Sequence, residues 1–67
     1  MKRNIQKLFK IADDALMPVD MGGDPVLAKD SLQEILESPE ASEEDKNNAR
    51  SMMHHAIDMV AELEYNL

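Results

Sequence analysis

The sequence predicts an all-α fold, a three-helix bundle with up-down-up connectivity and a long C-terminal helix. Three observations carry this. Ala49, Met53, Ala56, Val60, Leu63 and Leu67 recur at alternating steps of four and three, which keeps them on one side of a helix. Two earlier stretches repeat that spacing, and prolines, glycines and capping residues punctuate the chain where each helix must begin and end. With 67 residues there is room for a single domain spanning 1–67. A chain this short buries only about 60% of its unfolded surface, so its core is thin and a second copy or a partner would add to its stability.

The first helix is expected over about residues 4–16. Ile5, Leu8, Phe9, Ala12, Ala15 and Leu16 share one face, with Gln6, Lys7, Lys10, Asp13 and Asp14 opposite. Asn4 suits the N-cap, where a side-chain oxygen accepts from a free backbone N–H. Pro18 disfavours helical backbone at Met17, and Gly22-Gly23 allow the chain to reverse. Met17, Val19 and Met21 give this loop apolar side chains that could fold back over the core. Asp24 then caps a second helix at 25–37, with Pro25 at the first helical position, where its missing N–H costs nothing. Its inward face is read as Leu27, Ala28, Ser31, Leu32, Ile35 and Leu36, and Pro39 closes it.

Ser42 with Asp45 resembles a capping box ahead of the third helix, at about 43–65, in a weaker form because aspartate stands where glutamate is usual, and Glu43, Glu44 and Asp45 sit where the helix dipole favours anions. At about 1.5 Å per residue this helix is roughly 35 Å long, longer than either neighbour. The glycine loop or another molecule must cover the excess.

Catalysis finds no support. There is no cysteine, the serines have caps, turns or packing to explain them, and no cofactor motif is present, so the chain reads as a non-enzyme without cofactor. Gly22-Gly23 lie between Asp20 and Asp24 with no lysine following, which suits a turn and not a phosphate cradle. His54, His55, Asp58 and Glu62 invite a metal reading, but adjacent histidines project about 100° apart on a helix and the His-Glu-x-x-His spacing is missing. One chain alone would then hold no metal, and a metal- or ligand-binding oligomer is the third-ranked function.

Charge is more informative. Residues 1–10 hold Lys2, Arg3, Lys7 and Lys10 and no acid, whereas residues 11–67 hold three bases and fourteen acids, for a net charge of −7. Cations at the positive end of helix one, with Asp13 and Asp14 at its negative end, oppose the helix dipole. Docking of the basic segment on the acidic remainder would offset this. Asp30, Glu34 and Glu37 form a like-charged stripe on the outward face of helix two, the surface expected to meet a basic partner. Methionine is abundant, six in all, and methionine-rich faces adapt to partners. Met53, Val60 and Leu63 on the apolar side of helix three, with Tyr65 outside that arc, complete the candidate partner-binding set.

The function expected is a small acidic helical protein-interaction module, a regulator or inhibitor of a larger protein, self-associating through helix three as a homo-oligomer. The rival is an acidic nucleic-acid mimic that occupies the site of a basic nucleic-acid-handling protein. Direct nucleic-acid binding is disfavoured by the acidic balance and the scarcity of aromatic side chains. No apolar run reaches the roughly 18 residues of a membrane span and residues 1–12 lack a signal-peptide core. Together with the absence of thiols this predicts a cytoplasmic protein.

Overall fold

The computed structural model describes residues 4–65 and is all-α. Helix α1 spans Ile5–Ala15, α2 Pro25–Glu37 and α3 Glu43–Tyr65, and a single 3-10 turn at Val19–Met21 lies between α1 and α2. The starts follow from local chemistry. Asn4 accepts from the Gln6 N–H at 2.8 Å, and Asp24 accepts from the Leu27 N–H at 3.2 Å. Ser42 and Asp45 cap reciprocally: the Ser42 hydroxyl oxygen accepts from the Asp45 N–H at 3.0 Å and the Asp45 carboxylate from the Ser42 N–H at 3.1 Å. All three helices therefore begin where the cap residues place them.

Helix α2 lies in the middle, packed extensively on both α1 and α3, which touch each other little. Phe9 lies across from Met52, Leu16 and Met17 across from Met52 and His55, and Val19 across from Met59 and Leu63. That progression makes α1 and α3 parallel, with α2 running the other way. The molecule measures 37 × 18 × 17 Å, its long axis set by α3.

The core is Leu8, Ala12, Ala15, Ala28, Leu32, Ile35, Ala41, Ala49, Met53 and Ala56, with Ile5, Phe9, Leu16, Leu36 and Met52 packed against it. Six of those ten core residues are alanine, so the helices approach closely and few large side chains supply the apolar burial. Ser31 belongs to the same seam, 1% exposed, and its hydroxyl has no hydrogen-bond partner among the described residues.

Two sequence-based expectations need correction. Leu27 does not face inward; it is 43% exposed. The buried arc of α2 is centred on Ala28, Leu32 and Ile35, and Pro25, one turn before Ala28, takes the inward place. Nor do Met17, Val19 and Met21 fold over the core, being 43%, 47% and 65% exposed. The loop closes on its own backbone instead. The Met21 and Gly23 N–H groups donate to the Pro18 carbonyl, Gly22 N–H to Val19, and Asp24 N–H to Ala15 at 2.8 Å. Gly22 adopts φ +95°, and a Cβ at Gly23 would overlap the Met17 carbonyl. Leu67 of the apolar seam and Lys2 and Arg3 of the basic segment lie outside the described residues. No described helix is long and apolar enough to cross a membrane.

Three stability outcomes follow. Gly23→Ala forces the loop open and lowers the melting temperature, because the obstructing atom is backbone and cannot step aside. Leu32→Ala, which removes a fully buried side chain, costs about 2–5 kcal/mol, comparable to all the stability expected of so small a core, and circular dichroism reports a largely unfolded chain. Ser31→Ala has the opposite sign. A buried unsatisfied hydroxyl costs roughly 1–3 kcal/mol, and each kcal/mol recovered raises Tm by about 4–8 °C in a domain of this size. A lowered Tm for Ser31→Ala would mean that its hydroxyl is bonded after all.

Candidate functional site

Among the described residues, Met17, Val19, Met21, Val26, Leu27, Ile57, Leu63 and Tyr65 are the large apolar side chains left exposed. They are not scattered. The loop after α1, the first turn of α2 and the C-terminal part of α3 all meet at one end of the bundle, so the eight lie at a single pole. Helix α3 explains part of this, since its buried residues are Ala49, Met53 and Ala56 and none follows. The remaining nine residues, Ile57 to Tyr65, extend beyond the three-helix core, roughly 13 Å of helix.

From this pole a groove runs down between α1 and α3 on a face that α2 leaves uncovered. Its walls are Phe9, Asp13, Leu16 and Met17 on one side and Met52 and His55 on the other, continuing to Val19 and Asp20 opposite Met59, Glu62 and Leu63. The middle section is a shallow depression of about 510 Å³ and the section nearest the pole one of about 500 Å³. Both are open along their length, a shape for side chains of a partner more than for an enclosed small molecule.

Electrostatics single out the same end. The segments that build it, residues 11–28 and 51–65, contain seven acids and no lysine or arginine, whereas residues 1–10 and 29–50 contain seven acids and seven lysines or arginines. Among the described residues, the half that carries the exposed apolar residues therefore holds −7, against −2 for the other, whose seven acids face five lysines or arginines. The carbonyl ends of α1 and α3 point to this pole as well, and neither helix has a basic residue in its last turn. These two partial negative ends outnumber the one positive end that the N-terminus of α2 brings to the same pole.

The predicted site residues separate into two groups that the fold does not unite. Asp30 and Glu37 are exposed on α2 and Glu34 is half-buried; the Gln33 amide donates to Glu37 at 3.2 Å. On α3, Met53 is only 8% exposed and belongs to the core, so it supports a surface contact from beneath. Val60 is half-buried, Leu63 is 38% exposed and Tyr65 91%. Sequence reasoning missed the groove wall formed by Phe9, Leu16, Met52 and Met59. The methionines were a signal, but which helix faces they share depends on how α1 sits beside α3.

His54 and His55 are both exposed and diverge as adjacent helical residues must; His55 lines the groove near Asp13 and Ser51. Among the described residues, no group of three or more His, Asp or Glu side chains is placed to hold a metal ion. Lys7 and Lys10 of the basic segment are exposed, and Lys46 Nζ lies 4.0 Å from Glu43 Oε1 on the first turns of α3. Compared with known proteins, the chain matches no family model, no curated protein and no solved structure.

Proposed function

We propose that this chain is a small acidic protein-interaction module that regulates or inhibits a larger protein by occupying part of its surface. One observation carries the reading: the exposed large apolar residues coincide at one pole with seven acids and no lysine or arginine. An apolar patch with a single-signed rim is how an interaction surface combines burial with steering and selectivity. The partner surface would be basic, with a nucleic-acid-handling protein as one class that meets this requirement. The absence of cysteine supports work in the reducing cytoplasm.

Self-association through α3 is a second part of the reading, supported by the stretch of α3 beyond Ala56 that the chain leaves without buried residues. Pairing two such ends brings like charges together. Copies should therefore associate more as salt rises, while a basic partner should dissociate.

The immobilised chain should retain basic protein from the source cell at about 0.1 M salt and release it toward 1 M, where the Debye length falls from about 10 Å to about 3 Å. Reversing Asp30, Glu34 and Glu37 to lysine tests the α2 stripe separately from the pole. Each exposed pair contributes about 0.2–1 kcal/mol, so the triple variant is expected to weaken a partner held there by one to two orders of magnitude with helicity unchanged. Retention no greater than that of a charge-matched, sequence-scrambled chain at every salt concentration sinks the proposal. Sedimentation equilibrium reads self-association over the same salt range, and a 7.6 kDa species throughout argues against it.

A further inference from the structure

Building on the interaction-module reading, we propose that the groove between α1 and α3 docks a basic amphipathic helix of a partner protein, about three turns long and antiparallel to α1 and α3. Length sets the first term. From Met52 to Leu63 the α3 wall rises about 16 Å, three helical turns, enough for apolar partner residues at i, i+4, i+7 and i+11. Position sets the second. No α2 residue lines the groove, so it lies on a face of the α1–α3 pair that α2 leaves uncovered, open to a fourth helix.

The walls offer Leu16, Met52, Met59 and Val19 to an apolar face. Thioethers fit themselves to varied side chains at little strain. Asp13, Asp20 and Glu62 stand along the edges, against Lys10 near the lower mouth. Charge therefore selects lysine- or arginine-flanked helices and rejects acidic ones. Direction follows from the dipoles: α1 and α3 end at the pole without basic residues, so the positive N-terminus of the incoming helix belongs there, beside Val19 and Leu63.

A second copy suits the groove poorly. The basic stretch of the sequence, residues 1–10, includes Leu8, which is 1% exposed and already committed to the core. Two poles face to face would also set net charge against net charge of the same sign.

The test uses the full chain and a synthetic helix of about 14 residues (about 21 Å) with leucines on one face and lysines along its flanks. Methyl-¹³C methionine spectra should show Met52 and Met59 shifting on titration. A spin label on the peptide N-terminus should broaden Met59 more than Met52. A peptide of identical composition with its leucines spread around the helix should bind at least tenfold more weakly. Asp20→Lys with Glu62→Lys should lower affinity about tenfold, while Glu40→Lys with Glu44→Lys, exposed at the other end, should leave it unchanged.

Equal binding of the permuted peptide, shifts that spare Met52 and Met59, no binding at millimolar peptide, or a dimer whose formation shifts the same two methyls each overturns the groove assignment. Stronger broadening of Met52 overturns its direction. A captured partner lost on reversal of Asp30, Glu34 and Glu37, with no peptide bound, overturns the groove alone. Failure of both capture and peptide overturns the interaction-module reading with it.

Discussion

Close approach of α2 to its two neighbours is the constraint from which the rest of this structure follows. Ala12, Ala28, Ala49 and Ala56 are fully buried and Ser31 nearly so, so backbones meet across side chains of minimal size. Such a seam orders little side-chain entropy, since alanine has none to lose. It also yields little apolar area. Leu8, Leu32, Ile35 and Met53 are the large residues in the buried core, and at about 25 cal/mol per Å² of apolar surface they must supply a large share of its driving force. The small volume of Ser31 fits this seam, but its hydroxyl, without a partner among the described residues, adds nothing that alanine would lack.

The same seam explains where surplus apolar surface collects. Helix α2 is 13 residues and α3 23. Once α2 has been matched along the lower part of α3, the end of α3 passes beyond it. The loop after α1 reaches that end but is tied up in its own backbone hydrogen bonds, so it contributes a wall and not a cover. Concentrated acid at that end opposes the compact state through self-repulsion. Any cation-bearing partner seated there would relieve this repulsion as it binds, which couples recognition to stability.

Element boundaries were legible because they depend on neighbours in sequence. Asn4, Asp24 with Pro25, and Ser42 with Asp45 each act within three or four residues, and all perform the capping role their chemistry suggests. Leu27 was misread because a hydrophobic arc read from periodicity is wider than the arc a neighbour covers, and Pro25 is an unusual inward residue. The loop side chains were misread because apolar composition does not say whether turn geometry can swing them inward. The candidate site was largely illegible. Linear charge divides the chain into a basic start and an acidic remainder, whereas the fold brings 11–28 and 51–65, with seven acids and no lysine or arginine, together and leaves the described lysines and arginines to the other half. That regrouping depends on which faces of α1 and α3 come to lie side by side, which the up-down-up order leaves open and no local pattern encodes.

Helices α1 and α3 both bring a negative C-terminal end to the pole, and the single positive N-terminus of α2 there can offset only one of them. In an isolated bundle a lysine or arginine in either last turn would offset the other by about 0.3–1 kcal/mol, and neither helix has one. The sequence places its cations elsewhere: Lys7 and Lys10 toward the start of α1, Lys29 on α2, Lys46 and Arg50 early in α3. Reversing this distribution would stabilise the free monomer and erase the field at the pole. A chain shaped by folding stability alone has no reason to keep every lysine and arginine away from the segments that carry its exposed methionines, valines and leucines. Under the proposed function, contact with a positively charged, apolar-faced partner would supply one.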